Sequence, residues 1–156
     1  MDYQRTFFSR FGVNSETSSA KPFQLEEFNS LEERLKIEFP ESYKNFALTF
    51  GNIWTPNILD LIDEKGIEIA DVQEFWNAEQ IIFDKENEWT SNIEENLIPF
   101  ASDCMGNIFC FSVKDLTSRK DDCNIYYFDH DFDSVENLSI SFEQWIEKFN
   151  EISDKC

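Results

Sequence analysis

Three short runs, at residues 97–101, 108–113 and 125–128, are rich in β-branched and aromatic residues and are bounded by Gly106, Asn107 and aspartate-rich turns. That pattern predicts strands. The connection from Asp103 to Asn107 is too short for a parallel crossover, which takes about a dozen residues or more, so the first two strands must pair antiparallel. This excludes an all-parallel sheet and turns attention to what covers the strands.

The covering elements are written in a different period. Phe28, Leu31 and Leu35 follow Leu25 with acids between them, which lays one apolar stripe on a helix. A second helix is predicted from Pro40 through Tyr43, Phe46, Ala47 and Phe50 to a stop at Gly51. Asp71 and Glu74 have capping spacing ahead of Val72, Phe75 and Trp76, predicting a third helix that runs to about Asp84. Ser141 and Gln144 form a capping box for a closing helix that carries Phe142, Trp145, Ile146 and Phe149. The expected class is α+β, with a mostly antiparallel central sheet and amphipathic helices packed against it. At 156 residues the chain fits a single domain that buries roughly two-thirds of its unfolded surface.

Composition decides what this surface can meet. Thirty-two acids against thirteen bases give a net charge of -19, yet the chain also has seventeen Phe, four Trp and four Tyr. Such an aromatic content supports a packed core, so the acid belongs on a folded surface and not in a disordered chain. A field of that sign repels phosphate backbones and anionic lipid heads and attracts basic proteins. Direct nucleic-acid and membrane partners are therefore excluded as expectations. No run reaches the roughly 20 apolar residues needed to span a bilayer, and residues 1–12 lack the pattern of a secretory leader. Cys104, Cys110, Cys123 and Cys156 have neither C-x-x-C spacing nor a compact secreted framework, so they read as thiols of a soluble cytoplasmic protein. Cys110 is expected to pack as a small hydrophobe and Cys156 to be exposed.

The charge is uneven. Residues 1–24 sum to +1 and residues 25–156 to -20. The Ser/Thr-rich stretch at 14–21, closed by Pro22, marks 1–24 as an N-terminal tail or extension before a domain at 25–156. The densest acids are Asp129, Asp131, Asp133 and Glu136, preceded by Asp121 and Asp122. An EF-hand loop starting at Asp129 would need Gly at its sixth position and Glu at its twelfth, where Ser134 and Ile140 stand. The Asp129-x-Asp131 pair imitates a metal-diphosphate motif, but no glycine-rich phosphate loop accompanies it among four glycines. His130 is the only histidine, and its flanking acids favour the protonated form, a poor resting base. No catalytic residue, metal site or cofactor is assigned. Trp54, in a loop before Pro56, is read as a packing plug or a binding anchor. Trp76 and Trp145 are read as core, and Trp89 stays open.

The order of these signals resembles the SUKH superfamily. Leu35, Phe39, Pro40, Glu41, Ser42, Tyr43 and Phe46 with the Gly51-Asn52 stop resemble its opening helices, although the family's order there is Asn-Gly. Asp103, Gly106 and Asn107 between two apolar runs resemble its central hairpin, from which Cys104 and Met105 depart. Ile125 to Asp131 resembles its aromatic strand ending in Asp-His, and Ser141, Phe142 and Trp145 its last helix. The resemblance covers about residues 25–150. It implies an immunity protein that binds and neutralises a polymorphic bacterial toxin, a basic nuclease domain, without catalysis. Its alternative is a regulatory scaffold with several partners, like the fungal cell-wall regulators of the superfamily. Candidate partner-binding residues are Asp121, Asp122, Asp129, Asp131, Asp133, Glu136 and Trp54.

Overall fold

The computed structural model describes residues 2–12, 21–86, 96–118 and 121–154. Trp89 and Cys156 lie outside them. Among the described residues, seven α-helices, including the short α6 (Val113–Leu116), and one five-stranded antiparallel sheet form an α+β domain. The strands β1 (Glu74–Phe75), β2 (Leu97–Ser102), β3 (Ile108–Ser112), β4 (Asn124–Asp129) and β5 (Ser134–Ser141) lie side by side in chain order.

One face of the sheet carries the core. Phe100, Phe109, Phe111 and Ile125 are fully buried beneath α3 (Glu41–Thr49) and α7 (Phe142–Asp154). Phe100 and Phe111 stack at 4.5 Å, and Tyr43, Phe142 and Trp145 meet Phe100 edge-on or tilted. Burying one such ring contributes about 1.5–3 kcal/mol, and each favourable ring pair adds about 0.5–1.5 kcal/mol. The helix α2 (Leu25–Leu35) buries Phe28 and Leu31, as its stripe predicts.

The N-terminal extension enters this core. The helix α1 (Asp2–Phe7) packs on α7 and on the π-helical turn that follows it, Phe8–Gly12. Phe7 is 0% exposed and contacts the rings of Phe11, Phe46, Phe75 and Phe149. Gln4 donates to the Ser42 carbonyl at 2.7 Å, Arg10 to the Asn150 carbonyl at 2.7 Å, and Asn150 returns a bond to the Tyr3 carbonyl at 3.0 Å. Residues 13–20, most of the Ser/Thr-rich stretch, lie outside the described residues. The chain then re-enters at Lys21, whose backbone exchanges hydrogen bonds with Asn52. Gly51, at φ +67°, makes room for that crossing: a Cβ there would stand 2.3 Å from the Lys21 carbonyl oxygen.

One local expectation changes, and two further elements appear. The predicted third helix is instead β1 followed by α5 (Ala78–Glu86). Backbone bonds from Gln73 to Ser102, Phe75 to Ile53 and Trp76 to Phe100 hold this segment extended. The capping pair that operates is Asn77 with Gln80, each side chain accepting the other's N–H at 2.9 and 2.8 Å. A further helix, α4 (Asn57–Lys65), buries Ile58 and Ile62 and ends at Gly66 with φ +63°. Finally, β5 is a polar edge strand. Its pairing jumps from Asn137 to Ser141, and Ser139, at φ +60°, donates its N–H to the Asn137 side chain. The bulge leaves an irregular edge, which discourages edge-to-edge pairing with another chain.

Candidate functional site

The other face of the sheet is built by cross-strand register. Trp54 bridges Glu74, Glu74 pairs with Ser102, Ser102 with Ile108, Ile108 with Phe128, and Phe128 with Val135. Directly opposed residues point to the same side, so these six form one row across the whole sheet. At about 4.8 Å per strand the row is roughly 24 Å long. Ile108 and Phe128 join buried Leu97 and Cys110 in a second, smaller apolar cluster with half-buried Trp76, Tyr126 and Val135. Trp76, expected in the core on a helix, stands beside the row and donates its indole N–H to Ser102 Oγ at 3.1 Å. Trp145 is buried as expected.

Two turns frame the row. In the β2–β3 turn, Asp103 Oδ1 accepts the N–H groups of Met105 and Asn107 at 2.8 and 2.9 Å, and Oδ2 accepts the Tyr127 hydroxyl. Burial and the adjacent Asp103 carboxylate push the Tyr127 hydroxyl pKa upward. In the β4–β5 turn, Asp129 accepts the Asp131 N–H at 2.9 Å, while Asp133 takes a left-handed conformation at φ +49°. His130 ties the turns together: its N–H donates to Asn107 Oδ1 at 3.2 Å and its Nε2 lies 2.9 Å from the Met105 carbonyl. Its pKa is raised by that carbonyl bond and then by Asp131, Asp129 and Asp103. The turn acids are thus held on a braced loop. Bracing reduces the ordering cost when a partner binds them.

The structure separates the remaining candidates. Asp122 accepts from Ser42 Oγ at 2.6 Å, from the Cys123 N–H at 3.1 Å and from the Glu143 N–H. It closes the first turn of α7, where a carboxylate also complements the helix dipole. The Asp121 carbonyl accepts the Ser42 N–H at 3.1 Å, and its side chain is exposed. Both stand at the opposite end of β4 from Asp129, roughly 17–20 Å away at the usual rise per residue. Glu136 opposes Tyr127 on the helix side and shares a cleft with Glu68 and Lys148. Trp54, 45% exposed, sits at the far end of the outer row. The outer face therefore gathers Trp54 with His130 and Asp133 of the β4–β5 turn but not Asp121, Asp122 or Glu136, and Asp129, one residue past outward Phe128 and paired with Ser134, falls on the other side.

Residues not singled out from sequence complete the picture. Phe132 is 79% exposed, Met105 68%, and Phe83 also projects into solvent. Glu74, Glu79 and Asp84 line a groove with Trp76 and Phe83. Among the described residues, no group of three or more His, Cys, Asp or Glu is placed to hold a metal ion. Burial and Asp71 push the Cys104 thiol up to about 11, and burial pushes Cys110 well above the ordinary thiol range. Both shifts oppose thiolate formation. Burial, opposed in part by a Cys104 hydrogen bond, raises the Asp71 carboxyl pKa, with Asp103 adding to the rise. No described helix is long and apolar enough to cross a membrane.

The family model for the SMI1 / KNR4 family (SUKH-1) matches residues 22–148. The chain belongs to the SUKH-1 family. No curated protein sequence matches it. The SUKH-1 match runs from the Lys21–Asn52 crossing into α7, so it takes in the sheet and both framing turns and leaves α1 outside. Members of this family are generally immunity or regulatory proteins that work through protein partners.

Proposed function

We propose that this SUKH-1 chain is a cytoplasmic bacterial immunity protein that neutralises a basic toxin domain, a nuclease, by covering its active face. The observation that carries the reading is the net charge of -19 on a folded scaffold whose turn acids are braced in place. A nuclease surface shaped for phosphates presents Lys and Arg, and preset carboxylates can meet the same groups. The neutralisation would need no chemistry from the inhibitor.

The test partner is the toxic C-terminal domain of a secreted protein encoded by the adjacent gene. Co-expression of this chain is expected to restore growth, and calorimetry to show one chain bound per toxic domain. Neutralisation should survive added chelator, and any loss in His130→Ala should follow a loss of binding, because His130 braces the turns. Absence of such a neighbour, or no complex with it, would favour the regulatory scaffold. Loss of rescue in His130→Ala with binding retained would favour an enzyme.

A further inference from the structure

Resting on the immunity reading, we infer that the partner docks on the outer face of the sheet, inserting an apolar side chain between Trp76 and Phe128. Flanking Lys or Arg residues of the partner meet Asp133 on one side and Glu74 and Glu79 on the other. The geometry provides the seat. A groove of about 610 Å³ is lined by Trp76, Met105, Ile108, Phe128, His130 and Asp133. It adjoins the groove of Glu74, Glu79 and Phe83, and Trp76 and Ser102 form the shared wall.

Three observations select this face and this occupant. First, a sheet covered by helices on one side ordinarily turns polar residues outward, whereas this outer row carries Trp54, Ile108, Phe128 and Val135. The helix α5 follows β2, with Lys85 Nζ bonding the Leu97 carbonyl at 2.7 Å at one end and Gln80 bonding Glu74 at the other, and Ile108 and Phe128 are buried as the floor of the groove left beside Trp76. Second, neither groove is lined by Lys or Arg among the described residues, while Glu74, Glu79, Asp84 and Asp133 line them. An apolar floor with an anionic rim is complementary to an apolar side chain set among cations, the arrangement of a desolvated anchor with a charged periphery. A second copy of a -19 chain would bring like charge to that rim. Third, the grooves on the helix side are different in kind: the cleft holding Glu136 contains Lys148, and Asp122 is engaged in capping α7.

The test uses the full chain and the toxic domain of the adjacent gene. Met105→Lys with Asp133→Lys is compared with Asp121→Lys, and affinity is measured by calorimetry after circular dichroism verifies folding. The groove pair is expected to weaken binding by about 100-fold or more, and Asp121→Lys by about threefold or less. Hydrogen exchange on the wild-type complex, which needs no variant, should protect residues 102–108 and 128–133 and leave 121–122 unchanged. Equal small effects, or protection confined to 121–122, would overturn the groove while leaving the immunity reading intact. No binding by the wild-type chain would overturn both. Concentration-dependent dimers in light scattering would assign the groove to a second copy. A destabilised groove pair with unchanged affinity would assign it to the chain's own residues 87–95.

Discussion

Phe7→Ala is expected to cost about 3–5 kcal/mol in urea unfolding, the range for emptying a fully buried aromatic site. That is a large share of the roughly 5–15 kcal/mol that holds a typical domain together. The size of the effect follows from position: Phe7 touches rings on α3, β1 and α7 together with Phe11, so no single neighbour can move to fill the space. Phe7→Leu keeps most of the volume and should lose much less, about 1.5 kcal/mol or less. A loss below about 1 kcal/mol for Phe7→Ala would mean that α1 is separable from the domain, contrary to its packing.

Asp103→Ala is expected to cost about 3 kcal/mol, because one carboxylate accepts two backbone N–H groups and the Tyr127 hydroxyl. Its removal leaves those donors with no replacement at a buried position, which costs more than the bonds themselves contribute. Asp103→Asn retains one acceptor and should lose about half as much. The loss should also reach the candidate site, since Met105 and Asn107 carry the bonds that hold His130. Chemical shifts of the His130 and Asp131 amides should move in Asp103→Ala and little in Asp103→Asn. A variant as stable as the native chain, with those amides unmoved, would contradict the bracing of the two turns.

Much of the architecture is legible in sequence because its signals are local. The stripe of α2, the Pro40 and Gly51 boundaries around α3, the Ser141–Gln144 box before α7 and the three apolar strands all depend on near neighbours. Elements set by distant partners are harder to read. Val72 to Trp76 has helical spacing, but ladder bonds to Ile53, Phe100 and Ser102 make it extended. The Ser/Thr-rich stretch disguises α1, although Phe7 and Phe11 already have one-face spacing. The start signals of α4 are weak, yet Ile58, Leu61, Ile62 and Gly66 mark its stripe and stop. β5 is polar because it is a bulged edge.

The candidate site divides along the same line. A count of carboxylates cannot distinguish Asp122, engaged by Ser42, Cys123 and Glu143, from Asp131 on an exposed turn. Nor can it place Glu136 on the helix side while Val135 faces outward, since one residue of register decides the face. Trp76 was readable only as apolar. Its place beside the outer row follows from β1 pairing with β2, a contact between residues more than twenty positions apart.

On the proposed reading, braced acids on this fold should steer a basic protein into place. That steering is tested most directly by stopped-flow association with the toxic domain across a salt series from about 20 to about 300 mM, where screening of exposed charges becomes strong. The association rate constant is predicted to approach about 10⁸ M⁻¹s⁻¹ at low salt and to fall at least tenfold across the series. Combining Asp129→Asn, Asp131→Asn and Asp133→Asn should lower the low-salt rate most and flatten the salt slope. A rate that ignores salt and is unchanged in the triple variant would contradict steering by these carboxylates.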